Sequence, residues 1–220
     1  MKLLSIEAAA SPASVALSID GHVVEHTSDD PKAQAEQLLA LTNELLRDAG
    51  MTLSDLDGVV VGRGPGSFTG LRVATAVAQG LAYSAGLPVA AVSTLAAVAH
   101  QVGAARAIMP SNSLLVCLDA RKEQVYCAHY RFNELAQPES VSDEAVLDPA
   151  EVVRRFRDQV SVVASDAIAH HPILSTLGDV LEIAPSATAV ARRADSGVVA
   201  FESPYAAVPR YVRDNVTHGG

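Results

Sequence analysis

The chain has 220 residues, 49% of them hydrophobic, and its 16 basic and 25 acidic side chains give a net charge of −9. This length accommodates one large domain or two small ones, with an ordinary hydrophobic core. The cations show no clustering along the sequence, which argues against independent binding of nucleic acid, because phosphate neutralisation dominates that affinity. No signal-peptide pattern opens the chain and no apolar run approaches the ~20 residues that span a bilayer, so we expect a cytoplasmic protein.

Three strand-like runs open the chain, at Lys2 to Glu7, Ala13 to Ile19 and His22 to Thr27. The pair Asp20-Gly21 is a strong turn signal between the second and third runs. The sequence therefore predicts an antiparallel three-stranded opening.

A helix is predicted from about Pro31 to Ala49, where Gly50 ends it. It carries leucines at i, i+3 and i+7, namely Leu38, Leu41 and Leu45. A second row, Leu39 and Leu46, gives this helix more apolar surface than one stripe against a sheet requires.

The next unit joins a buried strand, a glycine-rich loop, a helix and another strand. Gly58 to Gly62 is a short apolar run typical of a strand covered on both faces. Four glycines and a proline follow within Gly62 to Gly70, a density that permits close approach of another segment or a ligand. A helix from Thr69 to about Ala85 is apolar nearly all round, and Val89 to Val92 returns as a strand.

A second region is predicted to begin at 110, giving domains 1–109 and 110–220. It contains a hairpin, Leu114 to Leu118 and Gln124 to Tyr130, around a charged turn. Further elements are a helix from Pro149, a strand near 160–164, a weak helix at 172–177 and a helix at 186–195. The extended tail that follows is a candidate to return to the first domain. Cys117 and Cys127 lie on the hairpin and are interpreted as a reduced buried pair.

The order β-β-β-α-β-α-β-α over the first hundred residues resembles the ribonuclease H-like core of the actin, sugar-kinase and heat-shock ATPase superfamily. The expected fold class is therefore α/β, with two ribonuclease H-like half-domains and mixed sheets flanked by helices. In active members the loop after the first strand carries an acidic residue and small hydroxyl residues that bind phosphate or metal. Here Glu7 is the one candidate for a nucleotide contact, since three alanines replace the hydroxyl residues.

Three strings resemble the TsaB family, also called YeaZ: GRGPGSFTGLR (Gly62 to Arg72), LDARKEQVY (Leu118 to Tyr126) and PRYVRDN (Pro209 to Asn215). They follow the family's order, and together with the opening LLSIEAAASPASVAL the likeness covers nearly the whole chain. The chain departs from the family at Glu7, where Asp is usual, and at Pro31 to Gln34, where a His-bearing segment is usual. The signature-loop residues are Gly62, Arg63, Gly64, Pro65, Gly66, Ser67, Phe68, Thr69, Gly70 and Arg72.

The resemblance implies a noncatalytic subunit of the bacterial machinery that makes threonylcarbamoyladenosine beside the anticodon of tRNAs reading ANN codons. In that machinery TsaD transfers the threonylcarbamoyl group, TsaE is an ATPase, and TsaB dimerises with TsaD. The implied partners are thus TsaD and TsaE, with a homodimer when the chain is alone and tRNA bound only through the complex. No cofactor is expected on the isolated chain, and ATP or ADP only in the complex.

The catalytic relative has a His-x-x-x-His motif after its own GPG loop, because two His four apart on a helix can reach one cation. Aligned without gaps on Gly64 to Gly66, those histidines fall on Thr94 and Val98, neither of which ligates such a metal. We therefore expect no metal and no catalytic residue. Two alternatives stay open: an active ATPase or kinase of the same superfamily and, less favoured, a protease, for which Ser67 lacks the G-x-S-x-G elbow.

The two apolar helices, 31–49 and 69–85, are predicted to pack side by side and form the dimer face. The expected contact residues are Leu38, Leu41, Leu45, Ala74, Ala78 and Ala82. The other interpretation is that the alanine row packs on the first helix within the same chain.

Overall fold

The computed structural model describes residues 1–28, 30, 35–105 and 113–212. The predicted helix start at Pro31, the domain boundary at 109/110 and the end of the PRYVRDN string from Arg213 lie outside these residues. Among the residues described, no helix is long and apolar enough to cross a membrane.

The first sheet is built from the opening strands and the glycine-loop unit. Its elements and their flanking helices are β1 (Lys2–Glu7), β2 (Ser14–Ile19), β3 (His22–Thr27), α1 (Ala35–Asp48), β4 (Gly58–Gly62), α2 (Phe68–Ala85) and β5 (Val89–Val92). The strand order is β3-β2-β1-β4-β5. The strands β1, β2 and β3 are antiparallel, whereas β1, β4 and β5 are parallel. The connection through α2 is therefore the crossover that the sequence predicts.

The second sheet follows the same plan. Its elements are β6 (Ser113–Asp119), β7 (Val125–Phe132), β8 (Pro138–Ser140), β9 (Ala145–Leu147), α4 (Pro149–Phe156), β10 (Val162–Ser165) and β11 (Asp179–Glu182). The order is β11-β10-β6-β7-β8, with β6, β7 and β8 antiparallel and β6, β10 and β11 parallel. A 3-10 helix covers Pro172–Leu177. Two half-domains with mixed sheets confirm the predicted fold class.

Two helices lie between the sheets, α3 (Thr94–Ala105) and α5 (Ala187–Asp195). Leu95, Val98 and Val102 of α3 belong to the core of the second sheet. Ala189 and Val190 of α5 belong to the core of the first. Each half of the chain therefore contributes one helix to the core of the other half, because α3 packs on the second sheet and α5 packs on the first.

The predicted contact residues on α1 and α2 lie inside the chain's own core, which corrects that assignment. Leu38 and Leu45 are buried, and Leu41 packs against the same cluster partly exposed. Ala74, Ala78 and Ala82 have no exposed surface. Helix α2 is apolar on most of its surface because the first sheet, α1 and the returning tail each contact it, which leaves one row exposed. The packing of the alanine row within the chain, the other interpretation, is what the structure contains.

Cys117 and Cys127 occupy directly opposite positions in the β6–β7 register and are free and buried. Burial raises the pKa of both thiols, that of Cys127 to about 11. Such thiols are protonated near neutral pH and act as small apolar core side chains.

Candidate functional site

A cleft of about 930 Å³ opens where the carboxyl ends of parallel strands from both sheets meet. The segments that follow β1 and β4 line one wall, and those that follow β6 and β10 line the other. In α/β folds this edge is where ligands bind, because loops there can vary without disturbing the sheet. The duplicated strand order thus creates one shared cleft between two lobes.

The three strings singled out in the sequence converge on this cleft. Residues 65–70 of the first string, 119–122 and 126 of the second, and 210–212 of the third are among its lining residues. These segments lie about fifty and ninety residues apart in the chain, so their meeting is a property of the fold. The cleft is therefore the candidate functional site.

Glu7, the predicted nucleotide contact, lies beneath the cleft wall and is 2% exposed. Its Oε1 accepts a hydrogen bond from the Ala9 amide at 2.7 Å, and its Oε2 accepts one from the Thr94 hydroxyl at 2.9 Å. A Cβ on Gly62 would lie 2.2 Å from Oε2, so only glycine fits beside this carboxylate. Burial raises the pKa of Glu7 to about 7, although those two hydrogen bonds lower it. The side chain joins β1 to the start of α3.

The glycines of the signature loop let the segment after β1 pack directly on the start of α2. A Cβ on Gly66 would lie 2.4 Å from Cβ of Ala9, and one on Gly70 would lie 2.0 Å from the Ala8 carbonyl oxygen. The Ala9 carbonyl accepts from the Ser67 amide at 2.7 Å, and the Ser67 hydroxyl accepts from the Gly70 amide at 3.3 Å.

The loop after β1 is where active members of the superfamily that the sequence resembles would bind phosphate. The residues of this first-lobe wall do not fit a phosphate chain there. The amides of Ser67 and Gly70 already donate within the chain, and the alanines after β1 offer no hydroxyl. The glycines here allow the two loops to pack against each other.

Arg63 of the signature loop is tied to the second lobe and to the tail through Glu144. The Arg63 Nη2 lies 3.7 Å from Glu144 Oε1, and the Arg210 Nε lies 3.8 Å from Glu144 Oε2. The Ser93 hydroxyl also donates to Glu144. The backbone amide of Arg210 donates to the Arg63 carbonyl at 2.8 Å, which fixes the tail beside the loop.

Phe68, Arg72 and Tyr211 form a stacked group at the mouth of the cleft. The Arg72 guanidinium lies 3.8 Å above the Phe68 ring, and its Nε donates to the Tyr211 hydroxyl at 3.0 Å. The two rings are 5.2 Å apart. Phe68 and Tyr211 remain 43% and 41% exposed, so each presents an aromatic face to solvent.

The opposite rim is a tight turn between β6 and β7. Arg121, Lys122 and Glu123 all have positive φ, at 58°, 52° and 58°. Three consecutive left-handed residues without glycine are unfavourable, by roughly 1 kcal/mol or more each. The turn is stabilised by Asp119, whose Oδ1 accepts from the Arg121 amide at 2.9 Å. It places two exposed cations at the edge of the cleft.

Two carboxylates lie on the second-lobe wall below this turn. The Asp119 amide donates to Asp166 Oδ1 at 2.8 Å. Burial raises the pKa of Asp166, and the charge of Asp119 raises it further. Asp166 and His170 also line the cleft but belong to none of the three strings, so the sequence did not predict them as site residues. The pairing of β10 with β6 brings them near the other lining residues.

Four of the chain's 16 basic residues lie at this cleft or beside it. Arg121, Lys122 and Arg210 line it, and Arg72 contacts two of its aromatic residues. Asp119 and Asp166 line the same cleft, and Arg210 pairs with Glu144, so cations and carboxylates are mixed there.

Known proteins resemble this chain in sequence and in fold. The family model described as "TsaD: tRNA N6-adenosine threonylcarbamoyltransferase" matches residues 23–208. "tRNA threonylcarbamoyladenosine biosynthesis protein TsaB" of Escherichia coli is 38% identical over 161 residues, 73% of this chain and 68% of that protein. The chain belongs to the TsaB family.

Two further relatives support this membership. The Haemophilus influenzae protein of the same name is 30% identical over 165 residues, 72% of this chain and 69% of that one. The solved structure "YeaZ from Pseudomonas aeruginosa" superposes with a TM-score of 0.80 at 28% identity, covering 96% and 99% of the two chains. The resemblance to the TsaB family that the strings suggested is confirmed.

Thr94 and Val98, where the comparison without gaps predicts the two histidines of the catalytic relative to fall, lie one turn apart on α3. Thr94 is fully buried and donates to Glu7, and Val98 is fully buried in the core of the second sheet. Within the described residues, no group of three or more His, Cys, Asp or Glu is arranged to bind a metal ion.

Proposed function

We propose that this chain is a noncatalytic assembly subunit of the bacterial machinery that forms threonylcarbamoyladenosine next to the anticodon of tRNAs reading ANN codons. In this proposal it binds and supports TsaD, together with TsaE, and any ATP or ADP enters only in the complex. The observation that carries it is the pair Thr94 and Val98. They occupy the i, i+4 positions on α3, one as a hydrogen-bond donor to Glu7 and the other as core.

The surface that we propose for TsaD is the exposed face of α2 beside α1. On α2 it comprises Ala76, Gly80 and Tyr83, at i, i+4 and i+7, and on α1 it includes Leu39, which is 39% exposed. Small side chains at Ala76 and Gly80 allow another helix to approach closely. Tyr83, 68% exposed and with its ring beside Tyr205 of the tail, supplies an aromatic anchor of the type enriched at interfaces.

Gly80→Arg tests this surface without disturbing the fold. A Cβ at Gly80 meets nothing within 4 Å, and arginine is a better helix former than glycine by roughly 1 kcal/mol. We expect the variant to fold, and its affinity for TsaD to fall by at least about tenfold in calorimetry, because a charge enters the helix seam. Light scattering of the isolated chain should show the same loss for a homodimer.

The matched control is Ala150→Arg, an exposed helical position on α4 of the second lobe. It should leave TsaD affinity unchanged. Equal affinities for wild type and Gly80→Arg would assign the partner surface elsewhere.

The noncatalytic part of the proposal has its own test. Purified chain should show no ATP turnover above buffer, whereas TsaD, TsaE and this chain together should modify tRNA. Turnover of ATP by the chain alone would favour the active ATPase or kinase instead.

A further inference from the structure

We propose that the tail, residues 202–211, forms one wall of the surface that binds TsaD, and that Tyr205, Val208 and Tyr211 contact that partner. The inference deepens the proposed function and rests on it, because the exposed row of α2 is there assigned to TsaD. The partner surface thereby becomes a groove, with α2 as its floor and α1 and the tail as its two walls.

The exposed row of α2 has a neighbouring element on each flank. On one flank, Gln79 Nε2 donates to the Ala207 carbonyl at 2.8 Å, which holds the tail against the helix. On the other flank, Ser84 lines a pocket of about 470 Å³ that it shares with Leu46 of α1. Because an α-helix has about 3.6 residues per turn, Gly80 faces outward between these two flanks.

The tail presents apolar side chains to solvent at intervals of three residues. Tyr205 is 71% exposed, Val208 is 61% exposed and Tyr211 is 41% exposed. Ala207 in the same segment is 2% exposed and packs in the core of the first sheet. The tail is therefore anchored on its inner side and apolar on its outer side.

Ring contacts at both ends hold this wall in place before a partner binds. The Tyr205 ring lies 6.0 Å from the ring of Tyr83, so the tail and the α2 row share one aromatic surface. At the other end, the Tyr211 ring lies 5.2 Å from that of Phe68, and its hydroxyl accepts from Arg72. A surface that is already ordered loses little conformational entropy on binding.

The tail supplies contact area that the α2 row lacks. Ala76 and Gly80 have almost no side chain, whereas a specific interface covers about 800 Å² on each partner. The exposed parts of Tyr83 and of the outward tail side chains add roughly 500 Å², given the size of aromatic side chains. Apolar patches of this size usually mark interaction sites.

The charges of the groove favour a protein partner. Arg72 is stacked on Phe68 and bonded to Tyr211, and Arg210 is paired with Glu144. Both arginines are thus engaged within the chain, whereas affinity for nucleic acid depends on cations that neutralise phosphates. A groove with a small-residue floor and apolar walls suits the apolar face of a helix, which we assign to TsaD.

The main variant is Val208→Asp in the full chain, with affinity for TsaD measured by calorimetry. Because Val208 is mostly exposed, the variant should fold, which circular dichroism checks. We expect affinity to fall by at least about tenfold, since the interface would bury an unpaired carboxylate. Tyr205→Ala should weaken binding by about fivefold or more, and Tyr205→Phe, which keeps the ring, by less than about twofold.

The matched control is Val198→Asp. Val198 is a 47% exposed valine that follows α5, and α5 packs on the face of the first sheet opposite α2. Its new charge lies outside the groove, so affinity for TsaD should change less than about twofold. Equal losses from Val198→Asp and Val208→Asp would overturn the proposal, because the effect would then be one of net charge.

A second measurement needs no variant. Binding of TsaD to the wild-type chain should slow hydrogen exchange of the amides at 205–211. Unchanged exchange there, or wild-type affinity in Val208→Asp, would overturn the proposal. So would loss of self-association alone or of TsaE binding alone, since the tail would then contact a different occupant.

Gly80→Arg distinguishes failure of this inference from failure of the proposed function. If Gly80→Arg weakens TsaD binding and Val208→Asp does not, the tail wall is wrong and the proposed partner surface on α2 stands. If neither variant weakens binding, both assignments fail.

Discussion

Glu7 shows how one buried residue couples pH to stability. Its carboxyl group is enclosed by Gly62, Ala9 and Thr94, and burial raises its pKa from 4.5 to about 7. A carboxyl whose pKa is higher in the folded than in the unfolded state binds more protons when folded. Its contribution to stability is fully present below about pH 4.5 and is lost as the pH rises through about 7.

Glu7→Gln should remove this dependence. The amide oxygen can still accept from the Ala9 amide, and the amide nitrogen can donate to the Thr94 hydroxyl, so the local geometry is retained. We expect the variant to gain stability relative to wild type between pH 5 and 8, by up to about 3 kcal/mol at the upper end. Urea denaturation at a series of pH values measures the difference.

Glu25→Gln is the control for the remaining carboxylates of the first lobe. Glu25 accepts hydrogen bonds at the start of α5, from the Ala187 amide and the Thr188 hydroxyl, and lies outside the enclosure formed by Gly62, Ala9 and Thr94. Its pH profile should not reproduce that of Glu7→Gln. If wild type and Glu7→Gln keep a constant stability difference across this range, Glu7 does not titrate there.

Among whole elements, α2 contains two glycines with opposite roles. A Cβ at Gly70 would lie 2.0 Å from the Ala8 carbonyl oxygen, whereas a Cβ at Gly80 meets nothing within 4 Å. Gly70→Ala should therefore destabilise the protein by roughly 1–3 kcal/mol through overpacking. Gly80→Ala should stabilise it by about 0.5–1 kcal/mol, because glycine in a helix costs conformational entropy.

Thermal unfolding of the two variants tests the predicted loss of stability for Gly70→Ala and the predicted gain for Gly80→Ala. At this chain length about 1 kcal/mol shifts Tm by roughly 2–4 °C, so the two curves should lie on opposite sides of wild type. A Gly70→Ala variant as stable as wild type would show that the segment after β1 does not pack on α2 as described.

Periodicity and glycine placement predicted most elements of the fold. The strands β1 to β4, the helices α1 and α2 and the β6–β7 hairpin appear close to their predicted bounds. The short strand β11, Asp179–Glu182, was not predicted, because four residues with polar ends give almost no alternating pattern. The strands β8 and β9 in the polar segment 133–148 were not predicted either, because three residues are too few to show an alternating pattern.

Contacts between distant elements could not be predicted from spacing. An apolar row such as Ala74, Ala78 and Ala82 shows that a helix face is covered, but not whether a partner or the same chain covers it. Likewise Arg72 and Tyr211 are 139 residues apart in the chain, and no local sequence pattern predicts their contact. The family strings located the cleft residues individually, and the duplicated topology brings them together.

For the whole molecule, the tail from Glu202 to Tyr211 joins the two lobes along α2. Glu202 pairs with Val89 through two backbone hydrogen bonds of 2.9 Å, and Gln79 Nε2 donates to the Ala207 carbonyl at 2.8 Å. The tail thus runs antiparallel to α2, with Tyr205 near Tyr83 and Tyr211 near Phe68. Arg210 holds the tail just before Tyr211. Its amide donates to the Arg63 carbonyl of the first lobe, and its Nε lies 3.8 Å from Glu144 Oε2 of the second lobe.

Glu144→Ala should release this end of the tail while leaving both sheets folded. Glu144 is 10% exposed at its side chain and is shared by Ser93, Arg63 and Arg210, so its loss leaves two guanidinium groups without their carboxylate. We expect a loss of about 1–3 kcal/mol and faster hydrogen exchange of the amides at 207–212, with little change near Glu202, whose bonds to Val89 are independent. Glu134→Ala, which removes an exposed carboxylate elsewhere on the second lobe, should leave exchange in the tail unchanged. If exchange at 207–212 is the same in Glu144→Ala and wild type, the tail is fixed by its contacts with α2 alone, and the Arg63–Glu144–Arg210 group does not couple the lobes.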